Sequence, residues 1–162
     1  DQEKIETKKN ETDEIINNSS IIENVIYSSK DVDGNEYTIN AIEGEIDYSN
    51  SNIIYLVNVT ATISLKNYNI IIIKSDFGKY NSSNFDTIFS KNVMINYLDN
   101  KITGEYLDFS PNRNSMILSR QVVYTNSSNI LKADVVEINL KTKDTKIFMY
   151  EKNKKVNIES KY

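Results

Sequence analysis

The chain has 162 residues, 39% of them hydrophobic and 26% charged, with one proline and four glycines, which excludes collagen-like and low-complexity proteins. Its net charge of −4 argues against nucleic acid as a partner, because phosphate binding requires a basic face. Cysteine and histidine are both absent, which excludes disulfides, a thiolate nucleophile and a Cys/His zinc site.

The first nineteen residues are polar and show no stable period. Six acids and three lysines fall within the first fourteen positions. We therefore predict a flexible tail over residues 1–19 and a single folded domain over residues 20–162. No apolar run approaches the roughly 20 residues that a membrane-spanning helix needs. Because position 1 is Asp, we expect a processed chain or a fragment that a signal peptide or membrane anchor can precede.

From residue 21 the pattern is that of β-strands. Residues 22–28 are predicted as the first strand, and residues 31–35 as a turn in which Gly34 accepts positive φ. Residues 36–41 then alternate between apolar and polar.

The next segments predict a bulge and a buried strand. Apolar positions on both sides of Val57 and Asn58 share one face if a β-bulge accommodates one extra residue there. Residues 69–74 are apolar on both faces, so we predict that they are covered on both sides or lie at an interface. Shorter strands follow at residues 93–97, 101–104, 116–119, 122–124 and 130–133. Residues 141–146 open a last hairpin.

A repeat spans these segments. Four similar stretches begin at a small residue, with spacings of 34, 29 and 29 residues, and a valine follows the first three starts by eighteen residues. The starts are Ala41, Ser75, Gly104 and Ala133, and the valines are Val59, Val93 and Val122. This periodicity predicts short antiparallel strands stacked in a β-solenoid or a jellyroll-like roll, with a continuous trough and two open edges.

The sequence shows no catalytic motif. Asp76, Glu105 and Asp134 each follow a repeat start, which predicts a solvated ladder of acids on an outer face, with calcium binding as the minor alternative. There is no nucleophile elbow and no glycine-rich phosphate loop. We predict that the chain is not an enzyme and has no cofactor and no metal site. A carboxylate pair for glycoside hydrolysis remains a minor alternative, since such pairs are assembled in three dimensions.

Several segments, in this order and spacing, resemble a known family. Residues 29–41, 54–61, 73–80, 91–93 and 132–134 are similar to successive strands of the OstA-like β-jellyroll family of lipopolysaccharide-export proteins, and most similar to its LptC branch. The resemblance covers residues 22–158. The chain departs from the family pattern where Leu107 and Val136 occupy the positions of Gly44 and Gly78.

The resemblance implies an all-β fold, an antiparallel V-shaped jellyroll whose interior binds the acyl chains of lipopolysaccharide. It also implies a periplasmic component of a Gram-negative export bridge, tethered to the inner membrane by an N-terminal helix outside this chain. Such a protein receives lipopolysaccharide from an inner-membrane ABC transporter at its N-terminal edge. It passes the lipid to an LptA-like jellyroll stacked on its C-terminal edge. Two alternatives remain, a soluble LptA-type shuttle and an adhesive surface β-solenoid without lipid binding.

The candidate lipid-binding residues are the alternating apolar positions of the strands. They are Ile39, Ala41, Ile54, Leu56, Val59, Ala61, Ile63, Ile73, Val93, Ile95, Tyr97, Ile102, Leu118, Val122 and Tyr124. The candidate partner edge consists of Ile147, Phe148, Met149, Tyr150, Val156 and Ile158. Each candidate lining residue has the alternative role of filling a dry core.

Overall fold

The computed structural model describes residues 21–149 and 157–160, so the predicted tail at 1–19 lies outside the described residues. Within these ranges the chain forms ten antiparallel strands. They are β1 (Ile21–Lys30), β2 (Glu36–Ile46), β3 (Ile53–Ser64), β4 (Ile71–Asn81), β5 (Thr87–Tyr97), β6 (Asn100–Ser110), β7 (Ser115–Thr125), β8 (Asn129–Asn139), β9 (Thr145–Phe148) and β10 (Asn157–Ser160). The described part of the chain has no helix with the length and apolar character that crossing a membrane requires.

The strands form one sheet in which β1 to β8 lie side by side in chain order. The last two strands share the same neighbour. β9 pairs with the C-terminal half of β8, where Val135 lies opposite Phe148, and β10 pairs with the N-terminal half, where Leu131 lies opposite Ile158. β1 therefore forms one edge of the sheet, and β9 and β10 together form the other.

The inward alternation of the long strands β2 to β8 is interrupted near the middle of each strand. In β3, both Leu56 and Val59 are buried, and Asn58 between them has a φ of 52°. At this level, each of the strands β1, β3, β5 and β7 contains one or two residues with left-handed backbone. They are Asn24, Asn58, Lys91, Asn92, Arg120 and Gln121. Asparagine adopts this conformation more readily than other non-glycine residues, which gives the asparagine-rich composition a structural use.

The change of phase predicted at Val57 and Asn58 is present, but it is not an unpaired insertion in one strand. β2 changes phase at the same level, because Ala41 and Gly44 both point inward. Ala41 therefore still lies opposite Val59, and Gly44 opposite Leu56. Between β4 and β8 the ladders do shift register at this level.

The interruption is the line along which the sheet folds over. The rings of Tyr37 and Phe109 have centroids 5.8 Å apart, although β2 and β6 are four strand spacings apart, about 19 Å in a flat sheet. The two halves of the strands therefore face each other across one core. The first half-sheet contains residues 36–41, 59–64, 71–75, 93–97, 100–104, 122–125 and 129–133. The second contains residues 42–46, 53–57, 76–81, 87–90, 105–110, 115–119 and 134–139.

The sequence repeat marks this fold line. Ala41 lies opposite Val59, Gly104 opposite Val93, and Ala133 opposite Val122. Small residues and valines thus alternate along one row across the sheet, next to the line. The small size has a steric cause at Gly104, where an added Cβ would lie 2.9 Å from Leu118 Cδ1 and 3.2 Å from the Ser119 carbonyl oxygen.

The antiparallel all-β prediction is confirmed, and three details differ from expectation. The strands β1 to β8 have 10 to 12 residues rather than being short, since the predicted segments 116–119 and 122–124 join into β7. The apolar run at 69–74 is covered on one face within the chain, because Ile73 is buried whereas Ile72 is 38% exposed. The acids that follow the repeat starts are half-buried. Two of them accept hydrogen bonds from Asn92, whose side-chain amide donates to Asp76 Oδ2 (2.6 Å) and whose backbone N–H donates to Glu105 Oε2 (3.3 Å).

Candidate functional site

The two half-sheets leave an apolar cleft of about 340 Å³ between their outer rims. The first rim consists of the turns that follow β1, β3, β5 and β7, and the second of the turns that follow β2, β4, β6 and β8. Residues of the first half-sheet and its rim that line the cleft are Leu65, Tyr68, Ile71, Ile95, Tyr97, Asn100, Ile102 and Tyr124. Residues of the second are Met116, Ile138, Leu140, Lys143 and Thr145.

The cleft is apolar inside and has polar groups at identifiable points. Ten of its thirteen lining residues are aliphatic or aromatic or methionine, and the other three are Asn100, Lys143 and Thr145. The hydroxyl of Tyr124 donates to Asn100 Oδ1 over 2.5 Å. A largely apolar cavity with a few convergent polar groups is the usual form of a small-molecule site.

Lys143 is the cation at the mouth of the cleft. Its Nζ lies 4.7 Å from the ring centroid of Tyr68, a residue of the opposite rim, and it also donates to the Leu140 carbonyl oxygen. Burial lowers the pKa of Lys143 below its ordinary value. None of the four ion pairs among the described residues involves Lys143.

The candidate lining residues separate into core and cleft. Four of the fifteen line the cleft: Ile95, Tyr97, Ile102 and Tyr124. The other eleven are at most 6% exposed and belong to the packed core. Most of the predicted trough is therefore filled by side chains, and space remains near the rims, toward the β8 end of the sheet.

Nine lining residues were not among the sequence candidates. Tyr68, Leu140 and Lys143 belong to turns, where alternation gives no signal. Leu65, Ile71, Met116 and Ile138 lie at or next to strand ends and continue the inward alternation of their strands. Extending each alternating run to its final residue would have found these four. Asn100 and Thr145 begin strands, and both are residue types that are also common in turns, so nothing in the sequence indicated that they line a cleft.

The candidate partner edge lies at the β8 side of the sheet. Ile147, Phe148 and Ile158 are exposed, and Met149 is half-buried. Tyr150 and Val156 lie outside the described residues. At the other edge, Ile21, Ile22 and Ile26 of β1 are exposed.

The fold is similar to that of a solved periplasmic protein. The chain superposes on LptH from Pseudomonas aeruginosa, described as the LptA homologous periplasmic component of the conserved lipopolysaccharide transport device, with a TM-score of 0.56 and 8% sequence identity. The match covers 76% of this chain and 93% of the LptH chain. At this identity the similarity establishes a shared jellyroll fold. No protein-family model and no curated protein matches the sequence.

Proposed function

We propose that this chain is a lipopolysaccharide-binding component of a periplasmic lipid-export bridge. The observation that carries the proposal is the apolar cleft between the half-sheets, in a fold shared with a lipopolysaccharide transport component. The cleft holds acyl chains, and the sugar part of the lipid stays in water.

Such transfer needs no covalent chemistry. Each methylene that moves from water into the cleft contributes roughly 0.8 kcal/mol of favourable free energy. A passive cleft equilibrates its ligand, so the direction of transport comes from an ATPase elsewhere in the assembly. The catalytic machinery of the chain's partners, not of the chain itself, supplies the energy.

The finer assignment is an LptC-type role. The chain then receives lipid from an inner-membrane ABC transporter at the β1 edge, and a helix outside this chain tethers it to the membrane. The β9 and β10 edge adds to the sheet of an LptA-like jellyroll, since unpaired strand edges recruit further strands. A soluble LptA-type shuttle is the second candidate, and the likeness to an LptA homologue favours it.

Photo-crosslinking tests the cleft. A photoreactive residue in place of Ile102, which lines the cleft, is expected to capture lipopolysaccharide. Its neighbour Lys101 is exposed and serves as the matched control, expected to capture little. Equal capture at both positions, or none at Ile102, would contradict lipid binding in the cleft and favour the adhesive solenoid.

Edge substitutions and fractionation test the partners. Changing Ile147 and Phe148 together to Asp should abolish binding to an LptA-like jellyroll and leave the far-ultraviolet circular dichroism unchanged. Tyr48→Asp, in the exposed turn between β2 and β3 and far along the sheet from β9 and β10, is the control. Fractionation of the full-length protein separates the two roles, because a tethered protein stays with membranes in alkaline carbonate and a shuttle does not.

A further inference from the structure

Lys143 occupies a position that the turn after β8 builds. Asn139 organises this turn, because its Oδ1 accepts hydrogen bonds from the backbone N–H groups of Lys141 and Thr142, both at 2.9 Å. The backbone N–H of Lys143 donates to the Asn139 carbonyl oxygen over 2.8 Å. Lys143 itself has a φ of 66°, a left-handed backbone conformation that is less strained for glycine or asparagine than for lysine.

Apart from the Leu140 carbonyl oxygen, to which it donates, the ammonium group lies in a largely apolar cleft. Leu65, Ile138 and Leu140 line the same cleft, and the ring of Tyr68 lies under Nζ. A cation placed among apolar groups, without an ion pair to a described carboxylate, is one that an anionic ligand can stabilise.

We propose that Lys143 binds the anionic group of an amphiphile whose acyl chain occupies the cleft. This inference rests on the proposed function and narrows its ligand to an amphiphile with a phosphate or carboxylate close to the start of the acyl chain.

Binding exchanges one contact across the mouth of the cleft for another. In the structure, Lys143 of the second rim lies over Tyr68 of the first rim. An anion draws the ammonium group away from the ring and replaces a cation–π contact with a charge-assisted hydrogen bond. The residue that spans the mouth in the free protein is thus the residue that holds the headgroup in the complex.

Calorimetry with two probes of equal chain length tests the inference. Dodecyl phosphate and dodecyl maltoside are titrated into the protein below their micelle-forming concentrations. We expect the phosphate to bind about 10- to 100-fold more tightly, the range for one hydrogen bond to a charged group. Lys143→Met, which keeps the aliphatic stem, should abolish this preference, and Lys143→Arg should retain it.

Lys141→Met is the matched control, since Lys141 is exposed in the same turn and does not line the cleft. It should leave the preference unchanged. Equal affinity of the parent protein for both probes, or loss of the preference in Lys141→Met alone, would overturn the role of Lys143 while acyl binding stands. If neither probe binds the parent protein, the proposed function fails and this inference fails with it.

Discussion

The rings of Tyr27 and Tyr80 lie 4.9 Å apart, although β1 and β4 are three strand spacings apart, about 14 Å in a flat sheet. Tyr27 belongs to the half of β1 that pairs with the first half-sheet, and Tyr80 belongs to the second. The pair therefore reports directly that the sheet is folded over.

A double-mutant cycle on this pair measures the closure. Replacing Tyr27 and Tyr80 by Leu, singly and together, should reveal a coupling of about 0.5–1.5 kcal/mol in the free energy of unfolding, as for other aromatic pairs. Urea denaturation supplies the four values. The same cycle with Tyr48, which is 99% exposed, in place of Tyr27 should give no coupling. A coupling of zero for Tyr27 and Tyr80 would mean that the half-sheets are apart in solution.

Among the positions at the fold line, we expect Gly104 to tolerate substitution least. We expect Gly104→Ala to lower the free energy of unfolding by about 1–3 kcal/mol, because the methyl group meets Leu118 and the Ser119 carbonyl oxygen. Gly78→Ala should cost less, since the nearest atom to the new Cβ would be Val59 Cγ2 at 3.1 Å and none of its three nearest contacts is a backbone atom. Thermal and urea unfolding of both variants check the order, and the reverse order would contradict this account of the repeat.

Left-handed backbone at the fold line gives a prediction for Asn58. Its φ is 52° and its side chain is exposed, so substitutions there act mainly through the backbone. Asn58→Ala should destabilise the protein by about 1–2 kcal/mol. Asn58→Gly should stay within about 1 kcal/mol of the parent, because glycine accepts this φ but loses more chain entropy on folding. Equal stability of the Ala variant and the parent would show that the conformation imposes no cost.

Alkaline pH should destabilise the protein through Tyr37. Burial, together with the charge of Asp31, raises the pKa of Tyr37 to about 12 from its ordinary 10.0. Between these values the unfolded chain loses the phenolic proton while the folded chain keeps it, so stability falls as pH rises from about 10 to 12. Urea unfolding as a function of pH should show this decline, and Tyr37→Phe should reduce it.

Tyr37→Phe has a separate cost near neutral pH. The Tyr37 hydroxyl donates to Asp31 Oδ2 over 3.2 Å, and removing that donor should cost about 0.5–1.5 kcal/mol. The two effects differ in their pH dependence, which allows them to be separated. An alkaline decline of equal size in the variant would assign it to another group, such as Tyr80, whose pKa burial also raises.

Local chemistry in the sequence determined most of the fold. Alternation identified the buried face of β2 and β3, and turn residues such as Gly34 ended the first strand. The spacing of Ala41, Ser75, Gly104 and Ala133 revealed a repeat, but not that the repeat lies along a fold line. These signals are readable because each depends on neighbours along the chain or on a strict period. The sequence also placed Ile147 and Phe148 at an edge, because they fall in the last strands of a chain whose strands pair in order.

The tertiary structure alone decided where the interior is filled and where it is open. Alternation shows that Leu56 and Ile102 both point inward, but not that Leu56 meets packed side chains and Ile102 faces a cleft. That difference depends on which side chains of the other half-sheet lie opposite each residue. Tyr68 and Lys143 are 75 residues apart in the chain and lie in turns without periodicity. They meet because the sheet folds over and brings its two rims together.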